Sequence, residues 1–164
     1  MNRSDTALFE IFTRQMIGLP LGHVWFGHGS AVFLEFGKLS PSKIKRREGS
    51  EGNPSGEYGV MIEWGWRLEN GKSILCGCWS DEDEWQPSFE MLRNTTLAGA
   101  SLTGRLPEID LRFSNDVHCV SFMIARGDPQ WAVFDRRGDK LQTLVSRKGR
   151  VEFERPSQRY KSKN

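Results

Sequence analysis

GEYGVMIEWGWRLENGKSILCGCWS, residues 56–80, decides how the rest of the chain is read. Tyr58, Val60, Ile62, Trp64, Trp66 and Leu68 take every second position, with Met61, Glu63, Arg67 and Glu69 among the residues between them. Successive side chains of an extended chain point to opposite faces, so this period of two predicts a half-buried strand. Asn70-Gly71 has the residue types that accept positive φ at both centres of a type I′ turn, which predicts a two-residue hairpin. That turn would set Glu69 opposite Lys72, Trp66 opposite Leu75, Trp64 opposite Gly77 and Ile62 opposite Trp79. Gly77 would then leave room for the Trp64 indole, and Cys76 and Cys78 would lie on the face away from the core, beside Gly65 and Glu63. Burying two or three of these aromatics is worth roughly 2 to 3 kcal/mol each, far more than any surface pair nearby.

Around this stretch, 164 residues with six Trp and ten Phe suffice for one domain with a substantial core. Residues 1–155 are expected to form that single β-rich domain and residues 156–164 a disordered polar tail. The 23 basic and 21 acidic residues leave a formal net charge of +2, which argues neither for nucleic acid nor for an acidic ligand. The three cysteines are an odd number, and Asp5, Glu10 and Arg14 interrupt the only candidate for a signal-peptide apolar region. The expectation is a reduced, cytoplasmic protein. No uninterrupted apolar run approaches the roughly 18 to 20 residues of a membrane-spanning helix, so no membrane association is expected.

Towards the N-terminus, Ser4 or Asp5 is placed to cap a helix carrying Ala7, Leu8, Ile11, Phe12, Gln15 and Met16 at helical spacing, ended by Gly18 and Pro20. Its Leu8, Ile11 and Phe12 are expected to pack on the sheet. Strands follow at 23–26 and 31–36 across Gly27-His28-Gly29-Ser30. Residues 38–56 hold little apolar material after Ile44 and read as a long mobile loop. Towards the C-terminus, Ser80 or Asp81 would cap a short helix over about 87–94. A strand over 97–106 precedes a hairpin of 109–113 with 117–124 across Asn115-Asp116, in which Ile109 faces Phe122, Leu111 faces Val120 and Phe113 faces His118. A strand at 130–134 and a hairpin of 141–146 with 151–153 across 147–150 complete the chain. The fold class is α+β, mainly antiparallel β: a twisted sheet, partial barrel or sandwich of hairpins with an N-terminal helix and one short helix.

No set of residues assembles into a recognisable catalytic or metal centre. Cys76 and Cys78 are alternate residues on one strand face rather than the C-x₂₋₄-C of a zinc site, and Cys119 shares the polar side of its own hairpin, facing Arg112. All three read as packing residues, and no metal or cofactor is expected. Asp81 to Glu84 lack the spaced acids and central Gly of a calcium loop and read as a solvated helix start. Glu35 and Glu63 sit within aromatic strands, where a charge needs a reason. His28 precedes Ser30 in a glycine turn, yet no orienting acid, G-x-S-x-G elbow or P-loop accompanies the pair. The basic residues Lys43, Lys45, Arg46 and Arg47, with Arg155, Arg159, Lys161 and Lys163 of the tail, have no aromatics interleaved, so nucleic acid is not expected as a partner.

Gly27-His28-Gly29-Ser30, Leu34-Glu35-Phe36-Gly37, Gly56-Glu57-Tyr58 leading to Trp66-Arg67, Leu97-x-Gly99, Asp110-Leu111-Arg112-Phe113 and Trp131 together resemble a group of bacterial β-rich proteins of similar length with no assigned activity. The resemblance implies a bacterial origin and a β-rich fold. By analogy of style it extends to immunity proteins, which neutralise a toxin by covering its active surface.

Two functional readings follow, with a nucleic-acid contact by the basic loop as a disfavoured third that a salt-dependent binding assay would test. The first is a non-enzymatic protein-interaction module, immunity-like or self-associating, with an exposed apolar patch edged by Trp79, Trp85 or Met123. The alternative is a small-ligand binder or hydrolase whose cavity is lined by His28, Glu35, Glu63 and Arg67, and convergence of those four on one concavity distinguishes it.

Overall fold

The computed structural model describes residues 2–42 and 51–154. The expected basic cluster at 43–47, part of the expected mobile loop, and the polar tail lie outside the described residues. An N-terminal helix α1 (Arg3–Thr13) is followed in chain order by β1 (Leu21–Phe26), β2 (Val32–Phe36), β3 (Tyr58–Ile62), β4 (Gly65–Glu69) and β5 (Ile74–Gly77). Helix α2 (Glu82–Glu90) precedes β6 (Leu97–Thr103), β7 (Glu108–Phe113), β8 (His118–Phe122), β9 (Trp131–Asp135), β10 (Gln142–Arg147) and β11 (Arg150–Phe153). The strands form two antiparallel sheets, ordered β1-β2-β3-β9-β10-β11 and β5-β4-β8-β7-β6. The protein is thus α+β and mainly antiparallel β. No helix of the described residues is long and apolar enough to cross a membrane.

The period-two stretch turns out to be two strands in two different sheets. β3 pairs with β2 and β9, whereas β4 pairs with β5 and β8, and the chain crosses between the sheets at Glu63-Trp64. The alternation survives because a strand that passes to the facing sheet keeps its apolar parity turned towards the same interior. Tyr58, Val60, Ile62, Trp66 and Leu68 are all at most 1 % exposed, while Trp64, at the crossing itself, is 40 % exposed.

Two registers and one packing contact differ from expectation, each for a local reason. Asn70 closes its turn with its own side chain: Oδ1 accepts from the N–H of Lys72 and Ser73, and Gly71 keeps a negative φ. The resulting four-residue turn sets Glu69 opposite Ile74, and a bulge at Leu75 then sets Leu68 opposite Cys76 and Arg67 opposite Gly77, so Cys76 faces the core. The Trp64 indole packs against Gly127 instead of Gly77, where a Cβ on the glycine would come within 2.6 Å of Nε1. At the second hairpin the loop is three residues, Ser114 to Asp116, with Asp116 left-handed at φ 59°. One extra residue flips the face of β8, so Cys119 and Ser121 point inward and His118 points out to bond Asp110. A turn with positive φ at both centres does occur, at Lys148-Gly149 between β10 and β11.

The helices are also displaced from their expected positions. Asn2, not Ser4 or Asp5, caps α1, and Phe9 with Thr13 and the following Met16 forms the buried face. Ile11 is 65 % exposed, because α1 lies along β6 and β11 with Phe9 edge-on to Trp131. α2 starts at Glu82, five residues before the expected 87, and carries Pro87 inside. Its Trp85 and Phe89, one turn apart, seat together against Trp66 and Phe26, and that aromatic cluster outweighs one lost helical hydrogen bond.

Candidate interaction surface

Antiparallel pairing brings six connections to one end of both sheets: 27–31, 63–64, 78–81, 104–107, 123–130 and 148–149. Binding residues concentrate on such loops when a rigid scaffold positions them. Here the loops are tied to each other. Ser30 Oγ donates to the Trp64 carbonyl at 3.2 Å, and Trp66 Nε1 donates to the Ser30 carbonyl at 2.5 Å. Trp85 Nε1 donates to the Gly77 carbonyl at 2.9 Å, and Trp131 Nε1 to the Pro107 carbonyl at 2.6 Å. Gln130 Nε2 donates to the carbonyls of Ala125 and Gly127, and the Lys148 N–H donates to Asp128 Oδ1 at 2.8 Å. Three buried indoles and one buried amide thus spend their donors on holding this end in shape.

On that fixed frame sit apolar side chains that the chain does not cover. Trp79 is 85 % exposed, Ile124 49 %, Leu106 47 % and Trp64 40 %. Two clefts meet at Ile124. The smaller, of about 330 Å³, lies between Gly29, Ser30, Cys78, Trp79 and Trp85. The larger, of about 740 Å³, is bounded by Leu106, Met123, Ala125, Gly127 and Lys148. Charge divides along the same line. Asp81, Glu82, Asp83 and Glu84 are exposed beside Trp79, and Arg126 and Lys148 are exposed on the far side of Ile124. None of these six has an ion-pair partner among the described residues.

The residues singled out from sequence distribute as follows. Trp79 and Trp85 share the smaller cleft, Trp85 as its buried wall at 5 % exposure, and Met123 lines the larger one. His28 is exposed in the β1–β2 turn and Glu63 is half-buried at the crossing, both at this end. Glu35 lies near the opposite end of β2, buried, its Oε2 accepting from Gly56 N and Arg136 Nη1 at 2.9 Å each. Arg67 is on the outer side of β4, over the Phe122 ring at 5.5 Å and paired with Glu69. None of the four described clefts is lined by His28, Glu35, Glu63 or Arg67. Burial pushes up the thiols of Cys76 and Cys119, which flank Leu68 in the core. No group of three or more His, Cys, Asp or Glu among the described residues is placed to hold a metal ion.

Sequence reasoning missed Ile124, Leu106 and Trp64. Ile124 and Trp64 continue apolar alternations two residues past the last paired positions of their strands, Phe122 and Ile62, and where pairing stops is not written in the alternation itself. Compared with protein-family models, curated proteins and solved structures, the chain matches none.

Proposed function

We propose that this protein is a non-enzymatic interaction module that docks another protein chain through the loop end of its two sheets. The observation that carries this reading is Trp79, 85 % exposed beside Ile124 and Leu106 on a surface fixed by side-chain hydrogen bonds. An exposed indole on a rigid frame loses little conformational freedom on binding and desolvates a large area, which is the chemistry of a binding hot spot. An immunity-like role, in which this face covers the active surface of another protein, is the form suggested by the likeness to small bacterial β-rich proteins. The hydrolase alternative loses support from the dispersal of His28, Glu35, Glu63 and Arg67, since acid–base chemistry needs its groups within hydrogen-bond reach.

The test is photo-crosslinking in cells. A photo-reactive side chain at position 79 or 124 should capture protein, while one at exposed Ile74 or Leu141, near the opposite ends of their strands, should not. Equal capture at all four positions, or capture only at 74 and 141, would remove this reading.

A further inference from the structure

The loop end carries a projection and a cavity on opposite sides of one residue. Trp79 stands out from the smaller cleft, the larger cleft opens beyond Ile124, and Ile124 lines both. At about 740 Å³, with Leu106, Met123, Ile124 and Ala125 in its wall, the larger cleft has the size and apolar lining to take an indole. The charges are arranged in the same sense. Four exposed carboxylates, Asp81 to Glu84, flank the projection, and the Arg126 and Lys148 side chains flank the cavity, outnumbering its one carboxylate, Asp128, whose Oδ1 accepts from the Lys148 N–H.

Such a face is complementary to itself. A two-fold axis near Ile124 brings Trp79 of one copy to the larger cleft of the other, and the reciprocal contact forms by symmetry. The same rotation sets each acidic run against the other copy's Arg126 and Lys148. We propose that this end face is an isologous dimer interface, closed by Trp79 seating between Leu106, Met123 and Ile124 of a second copy. The inference rests on reading the loop end as the interaction surface and names its occupant.

The helix dipole alone accounts for acidic residues at the start of α2, because carboxylates suit its positive end. It leaves an uncovered tryptophan, a facing cavity and two facing cations unexplained, and the dimer accounts for all of them. A net charge of only +2 adds little long-range repulsion between copies. The cleft beside β1 is a weaker candidate: Glu90 pairs with Arg93 within it, and His23 lies against Asn53.

Sedimentation velocity over a dilution series of the full chain tests the proposal. The unaltered protein should sediment as a reversible dimer, weakened by added salt. Trp79→Ala should weaken association by about tenfold or more. Two charge reversals, Glu82→Lys with Asp83→Lys and Arg126→Glu with Lys148→Glu, should each weaken it similarly, while an equimolar mixture of the two restores a dimer containing one of each. Circular dichroism on every variant confirms that it is folded. A monomer at all concentrations, an open-ended polymer, unchanged association of Trp79→Ala, or no recovery on mixing would each overturn the dimer. A monomer that nonetheless crosslinks to a different protein from position 79 would overturn the dimer and leave the interaction module standing.

Discussion

Glu35 is 2 % exposed and Trp79 is 85 % exposed, the reverse of what a carboxylate and an indole ordinarily do. Around Glu35 the chain supplies everything a buried charge requires. Oε2 accepts from Gly56 N and from Arg136 Nη1, Oε1 accepts from Trp25 Nε1 at 3.3 Å, and the guanidinium lies over the Phe134 ring at 5.0 Å. Gly59 gives the guanidinium its space, since a Cβ there would come within 2.7 Å of Arg136 Nη1. Around Trp79 the chain supplies a frame and no cover. The first anomaly is resolved within one molecule, so it needs no functional explanation. The second is left open by a surface otherwise tightly tied together, and that contrast is why the loop end, and not the Glu35 cluster, is read as the place for a partner.

The sharpest way to break the comparison is to remove what resolves Glu35. Arg136→Ala leaves a buried carboxylate with two neutral donors and should cost about 2 to 4 kcal/mol in urea unfolding. Arg136→Lys should recover only part of that loss, because an ammonium cannot hold both Glu35 and the Gly56 carbonyl while lying flat on Phe134. A loss below about 1 kcal/mol for Arg136→Ala would mean that Gly56 and Trp25 suffice, and that Glu35 is free to serve another purpose.

The two regions also differ in how far the sequence announces them. Alternation at Tyr58, Val60, Ile62, Trp66 and Leu68 gives the buried face correctly, because apolar parity depends only on which side faces the interior. It cannot say that the chain changes sheets at Glu63-Trp64, since both sheets demand the same parity from it. Registers failed where a turn is set by details outside residue type. Asn70 bonds its own turn through Oδ1, and Asp116 takes a left-handed φ that adds a third loop residue. At the loop end, Trp79 and Met123 are legible as apolar residues at segment edges. Leu106 and Ile124 join them only because strands distant in sequence, β6 and β8, end on the same side, which is a property of strand order.

An intermediate effect is expected at the glycine that seats Trp64. Gly127→Ala places a methyl group within 2.6 to 2.9 Å of three indole atoms, so the ring must leave its seat. The expected cost is about 1 to 2 kcal/mol, with self-association weakened as well, because Gly127 itself lines the larger cleft. Gly59→Ala is the matching change at the other region. It meets Arg136 Nη1 and Nη2 and Glu35 Oε2 within 2.7 to 3.0 Å, should cost a similar amount, and should leave association unchanged. If both glycine variants alter association equally, the two regions are coupled and the contrast between them fails.

A smaller effect, confined to the extremes of pH, is expected where Arg137 clamps Asp135 over Tyr58. The guanidinium bonds Asp135 through Nε at 3.0 Å and Nη2 at 2.9 Å and lies 4.5 Å from the Tyr58 ring centre. Hydrogen bonding from Arg137 holds the Asp135 carboxyl below the usual carboxylate range, so its contribution is present above the ordinary value and is lost as pH falls through the depressed one. Burial, then the hydrogen bond with Asp135, pushes the Tyr58 hydroxyl up to about 12. Its contribution is therefore present below the ordinary value near 10 and is lost as pH rises towards 12. Asp135→Asn should flatten the acid limb of the stability–pH curve and shorten the alkaline one. An acid limb unchanged by the substitution would show that the pair contributes no stability.

The smallest change in stability is expected at the residue given the largest role. Trp79→Ala removes an indole that makes no side-chain hydrogen bond among the described residues and is 85 % exposed, so the folded monomer should lose less than about 0.5 kcal/mol. Under the same conditions its association should fall by about tenfold or more, the gap expected of a side chain that packs only between molecules. A dissociated sample is needed for the first measurement, because a dimer that is lost with the tryptophan would itself lower the apparent Tm in proportion to protein concentration. If the monomer of Trp79→Ala is destabilised as much as Gly127→Ala, then the indole is folded back onto Ser30 and Trp85 in solution. Its exposure would then no longer mark a docking surface, and Glu35 and Trp79 would be two anomalies resolved in the same way.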